Sequence, residues 1–149
     1  MFNLIIVVSL IPFGWVYLQV DQGNFREFIT DPIINWIGAG VFFIGGGFLL
    51  WRAYKVAQEQ MLEIPRSESV RHKLQAYYEI QIRKFVQYEL VSFIALVGMV
   101  LFQPTFFAIW YLFILFVFSL DWPKYDKVVR HLRLSKEEQE LLAKTDILP

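Results

Sequence analysis

The sequence predicts an all-α, polytopic membrane protein of about four transmembrane helices, arranged as two antiparallel hairpins with cytoplasmic helical extensions. Three observations lead there. Of 149 residues, 56% are hydrophobic and 18% aromatic, while only 19% are charged; a soluble domain of this size carries about a quarter charged residues. The apolar residues come in blocks long enough to cross a hydrocarbon core, not at spaced positions along one face. Lysine and arginine are also shared out very unevenly among the segments that join these blocks.

The first block covers residues 1–20 and reads MFNLIIVVSLIPFGWVYLQV. Twenty helical residues rise roughly 30 Å, the thickness of a bilayer core. A cleavable signal peptide would want a basic start and a small-x-small cleavage site, and the block has neither. It reads as a retained helix, with Pro12 and Gly14 as points where it could kink. The second block, 33–51, follows Thr30-Asp31-Pro32, where either polar side chain can cap the first amides and proline suits the first turn. The third covers 85–102 and the fourth 105–120, joined only by Gln103-Pro104, so they must form a tight hairpin.

Orientation follows from the basic residues. The connection between the first two spans holds one, Arg26, and the turn between the last two holds none. The segment between spans two and three holds Arg52, Lys55, Arg66, Arg71, Lys73, Arg83 and Lys84, and the tail holds six more. Both termini and the middle segment are therefore expected on the cytoplasmic side of a bacterial inner membrane or its equivalent. Trp36 and Trp51 are fifteen residues apart, roughly 22 Å along a helix, and fit an aromatic belt at each interface.

Helix-forming sequence continues beyond the membrane. RAYKVAQEQMLEI runs without a breaker to Pro65, and SVRHKLQAYYEIQIRK, capped by Ser67 or Ser69, leads into span three. Residues 52–84 are expected to form an antiparallel helical stalk in which Tyr54, Val56, Met61 and Leu62 meet Val70, Leu74, Tyr77, Tyr78 and Ile80. The tail, 123–149, begins with a basic amphipathic stretch. There Lys124, Lys127, Arg130 and Arg133 recur three residues apart beside Val128, Val129 and Leu132, a pattern suited to anionic headgroups. Ser135 and Glu138 then match a capping box ahead of a short last helix.

Few residues suggest chemistry. With no cysteine, disulfides and thiolate chemistry are excluded. Zero net charge gives no reason to expect nucleic acid. Both histidines, His72 and His131, fall outside the spans, and no nucleotide, metal or hydrolase motif occurs. No cofactor and no catalytic residue is evident. Span three alone carries an ionisable group, Glu89, close to its inner end, and Arg52 at the matching end of span two is its expected partner. In GAGVFFIGGG, Gly38 and Gly45, Ala39 and Gly46, and Gly40 and Gly47 are each seven apart. Seven residues return nearly to one helical face, which gives span two a smooth face for close helix packing. Ser92, Ala95 and Gly98 give span three a lesser version. Contact surfaces without chemistry point to a small accessory or scaffolding subunit of a larger membrane complex, with lipids and either other subunits or further copies of itself as partners. An oligomeric channel or transporter is the alternative, and a small intramembrane enzyme acting on a lipophilic substrate is the third reading.

Overall fold

The computed structural model describes residues 2–23, 31–65, 67–102 and 104–144. Arg26, Thr30, Arg66, Gln103 and the last five residues of the tail lie outside them. Among the described residues every regular element is helical: α1 (Phe2–Asp21), α2 (Pro32–Glu63), α3 (Val70–Leu101), α4 (Pro104–Asp121), α5 (Tyr125–Leu132) and α6 (Lys136–Lys144).

Local chemistry sets the ends. Asp31 is in extended backbone, and its carboxylate accepts from the amides of Ile33 and Ile34 at 2.8 and 3.2 Å, while Pro32 opens α2. From there α2 runs 32 residues unbroken, so the apolar block and its charged continuation form one rod. It stops at Ile64, which is extended, as the residue before a proline prefers. The Ser69 hydroxyl accepts from the His72 amide at 3.5 Å and starts α3, another unbroken 32 residues. Helix α1 continues through Pro12.

α3 is the axis of the molecule. α1, α2 and α4 all pack against it, whereas α2 and α4 touch each other little. Half of the most apolar stretch of α3 is buried, against 22% for α2. The small residues of α3 make this possible: Ser92 and Ala95 are fully covered, and a Cβ on Gly98 would overlap the Phe107 ring. The expected pair of hairpins is corrected in its first half. α1 lies on α3 and α4, with Phe13 stacked on Tyr111 at 3.6 Å, because its buried residues, Phe13 and Val16, fit there while the small face of α2 is occupied by α3.

Among the described residues there are two cores. One fills the apolar half, from Phe13 and Ala39 to Phe107 and Phe118. The other lies under the stalk, where Ala57 and Met61 of α2, Leu74 and Tyr77 of α3, and Val128 and Leu132 of α5 meet. In the stalk, Val56 and Leu62 face outward and Ala53 and Ala57 take the buried positions expected of them. The small alanines bring α2 and α3 close together.

Helices α2 and α3 are each long and apolar enough to cross a membrane, and α4 with α5 passes as a pair bent by 67°. The bend follows from Trp122-Pro123, where the chain leaves the helix and Pro123 is buried. It corrects the expected placement of the basic tail helix. α5 does not lie with its apolar face free for lipid; that face docks on the stalk, with Val128 and Leu132 buried. Burying a valine and a leucine contributes about 1.5–3 kcal/mol each. Ser135 and Glu138 form the capping box reciprocally, at 2.8 and 3.2 Å.

Candidate functional site

The polar residues that the fold brings together sit where the apolar half meets the stalk. Asp121 is the last residue of α4, a position where the helix dipole disfavours a carboxylate. Two groups from α3 offset this. Lys84 Nζ lies 3.1 Å from Asp121 Oδ2, and the Tyr88 hydroxyl donates to the same oxygen at 2.6 Å. Lys84 is 4% exposed, so its charge is compensated almost entirely by this carboxylate and by rings. Its ammonium sits 5.4 Å from the centroid of Phe85 and 5.9 Å from those of Tyr54 and Tyr88, within cation–π range. Lys127, one turn into α5, donates to the Leu120 carbonyl and caps the end of α4.

Beneath this pair is a small chamber of about 60 Å³, bounded by Gln58, Gln81, Lys127, Arg130 and His131 as well as Lys84 and Asp121. Gln81 is buried and donates to the Tyr77 hydroxyl at 2.8 Å, while its Oε1 has no hydrogen-bond partner. His131 Nε2 is 3.4 Å from the Gln58 amide nitrogen. Burial holds the His131 imidazole below its usual value, with Arg130, Lys84 and Lys127 adding to the effect and a backbone contact to Lys127 opposing it. Above the pair, a cleft of about 470 Å³ opens between α2 and α4. Tyr54 and Asp121 line both spaces and join them. Among the described residues, no three His, Asp or Glu side chains cluster as a metal site would require.

The positions singled out in the sequence fall in three places. Ala39 and Gly46 lie on the face of α2 that meets α3; a Cβ on Gly46 would approach Val91 at 3.2 Å and Trp110 at 3.3 Å. Gly38 abuts Phe102 so closely that a Cβ would overlap its ring, and Gly47 borders the cleft, where a Cβ would lie 3.9 Å from Trp110. A Cβ added at Gly40 or Gly45 would meet nothing within 4 Å beyond its own helix. The structure does not join Arg52 to Glu89. Arg52 is exposed in a surface cleft with Gln87 and Leu90, whereas Glu89 is buried. Gln87 and Glu89 are two residues apart, about 200° around the helix, so the face turned to Arg52 turns Glu89 away. Of the tail cations, Lys127 and Arg130 border the chamber and Lys124 and Arg133 are exposed. Asp121 was the residue that sequence reasoning passed over, and the signal was an acid ending an otherwise apolar helix.

A second ion pair fastens the tail. Lys73 Nζ, 3% exposed, lies 2.7 Å from Glu138 Oε1. The Lys73 hydrogen bond, helped by the Ser135 amide and opposed by partial burial, holds the Glu138 carboxyl below its usual 4.5. A carboxyl lowered in the folded state contributes stability above its unfolded value, and the contribution is lost as pH falls through the native one. His131, also lowered, acts in the same direction below its usual 6.5. Protection of α6 from hydrogen exchange is therefore expected to fall between pH 7 and pH 3, and Lys73→Met should remove the part below about pH 4.5 that Glu138 carries while leaving the His131 part.

No family model, curated protein or solved structure matches this chain.

Proposed function

We propose that this protein is a small accessory or scaffolding subunit of a larger membrane complex, built on four spans with both termini and the stalk on the cytoplasmic side. In this reading α1 and α4 cross the bilayer beside α2 and α3. Placing the basic stalk and tail inside leaves a single basic residue, Arg26, outside.

The supporting observation is the outer face of α2. Ile37, Val41, Ile44 and Phe48 form a ridge there, 55–72% exposed, and Gly40 and Gly45 leave open notches on either side of it. A ridge with adjoining grooves is the form by which helices interlock, and small residues promote close approach in lipid. Lipid chains contact such a face without needing the notches; a partner helix makes use of them. The two buried lysines meanwhile pair with carboxylates of this chain, Lys84 with Asp121 and Lys73 with Glu138.

Extraction from native membranes in mild detergent, followed by native electrophoresis and mass spectrometry, tests this reading. The expected result is stoichiometric co-migration with other membrane subunits. A homo-oligomer alone would shift the reading to a channel or transporter, and a monomer alone to an enzyme on a lipophilic substrate.

A further inference from the structure

The cleft between α2 and α4 and the basic chamber below it have complementary chemistry. The cleft wall is apolar for most of its length, from Phe43 and Trp110 at one end through Leu50 and Val117, and only its other end carries Tyr54, Tyr88 and Asp121. Positions 43 and 54 on α2, and 110 and 121 on α4, are each eleven positions apart, about 16 Å of helix and so about half a bilayer core. Gly47 removes a side chain from the middle of this wall, where a Cβ would make only ordinary contact with Trp110. The polar end carries a surplus of positive charge: Lys84, Lys127 and Arg130 border the chamber against one carboxylate, Asp121. That carboxylate is already held by Lys84 and Tyr88, so Lys127 and Arg130 remain in excess.

We propose that this cleft binds one anionic phospholipid of the adjoining leaflet, an acyl chain lying between α2 and α4 and its phosphate against Lys127 and Arg130. The length of the apolar wall matches one leaflet, and the charge surplus lies at the end where a headgroup would sit. Gly47 makes room for the chain, and Lys127 and Arg130 select the headgroup. This inference rests on the membrane placement proposed above but needs no protein partner.

The test is native mass spectrometry of the full chain reconstituted in phosphatidylcholine nanodiscs containing a minor fraction of phosphatidylglycerol, then released and stripped of loose lipid. Wild type is expected to retain one phosphatidylglycerol. Gly47→Leu, which fills the cleft, and the double change Lys127→Gln with Arg130→Gln, which leaves the apolar wall intact, should each lower retention on the order of tenfold. Equal retention of the two lipids by wild type, or unchanged retention in the lysine–arginine double variant, would overturn the proposal. Carbonate extraction of the same preparations reports insertion separately: a chain that inserts but retains no lipid refutes this site, and a chain that fails to insert refutes the membrane placement.

Discussion

Replacing Asp121 with leucine is expected to destabilise the fold by about 3 kcal/mol or more, because it strands the Lys84 ammonium without a counter-charge. Lys84 is 4% exposed and surrounded by Phe85, Tyr54 and Tyr88. Rings soften a buried cation's loss of water but do not replace a carboxylate. The same change takes away the acceptor of the Tyr88 hydroxyl. Replacing both charges, Lys84→Met with Asp121→Leu, is expected to return most of the lost stability, since a well-packed apolar pair is often no worse than a buried ion pair. Reversible unfolding in mixed micelles, read as a double-mutant cycle, should give a coupling of about 2 kcal/mol or more. Additive single and double effects would mean that the two groups do not depend on each other.

Gly98→Leu is expected to have an effect of similar size for a different reason. The Phe107 ring occupies the space above Gly98 and is itself fully buried, stacked with Phe102 at 6.1 Å and edge-on to Phe106 at 5.4 Å and Phe42 at 6.0 Å. A ring enclosed in this way cannot swing aside, so the added side chain must separate α3 from α4, at about 3 kcal/mol. Pairing it with Phe107→Ala should recover part of the loss. Gly45→Leu should change stability by less than about 0.5 kcal/mol, because that position is open. Equal losses at positions 45 and 98 would contradict the packing described here.

Features governed by residues close in the chain could be read from the sequence. The Asp31 cap, the two unbroken rods through the stalk and the Ser135–Glu138 box each depend on a few neighbouring residues. The seven-residue spacing of small residues on span two was equally plain, but it says nothing about which stripe meets which helix. Ala39 and Gly46 face α3, whereas Gly40 and Gly45 are left open. The site depended on that missing information. Lys84 and Asp121 are 37 positions apart and meet only because α3 and α4 pack in one particular rotation. Arg52 and Glu89 looked better matched by depth alone, and their rotations about α2 and α3 keep them apart. Asp121 at a helix C-terminus, opposed by the dipole, was the one local sign that a partner had to exist. The basic amphipathic stretch of the tail was also legible, but not the bend at Pro123 that turns it under the stalk.

The claim that the outer face of α2 is a protein-binding surface can be tested by cross-linking, since the chain has no cysteine of its own. Ile44 is 72% exposed on that face, and Phe116 of α4 is 58% exposed away from it. With a short maleimide–benzophenone photocross-linker, which joins the introduced thiol to any neighbouring protein, Ile44→Cys in native membranes is predicted to yield one adduct heavier than the monomer and different from a dimer of this chain, while Phe116→Cys yields none. If neither position cross-links, the face contacts only lipid; if both do so alike, the face is no preferred contact surface; either result contradicts the accessory-subunit reading.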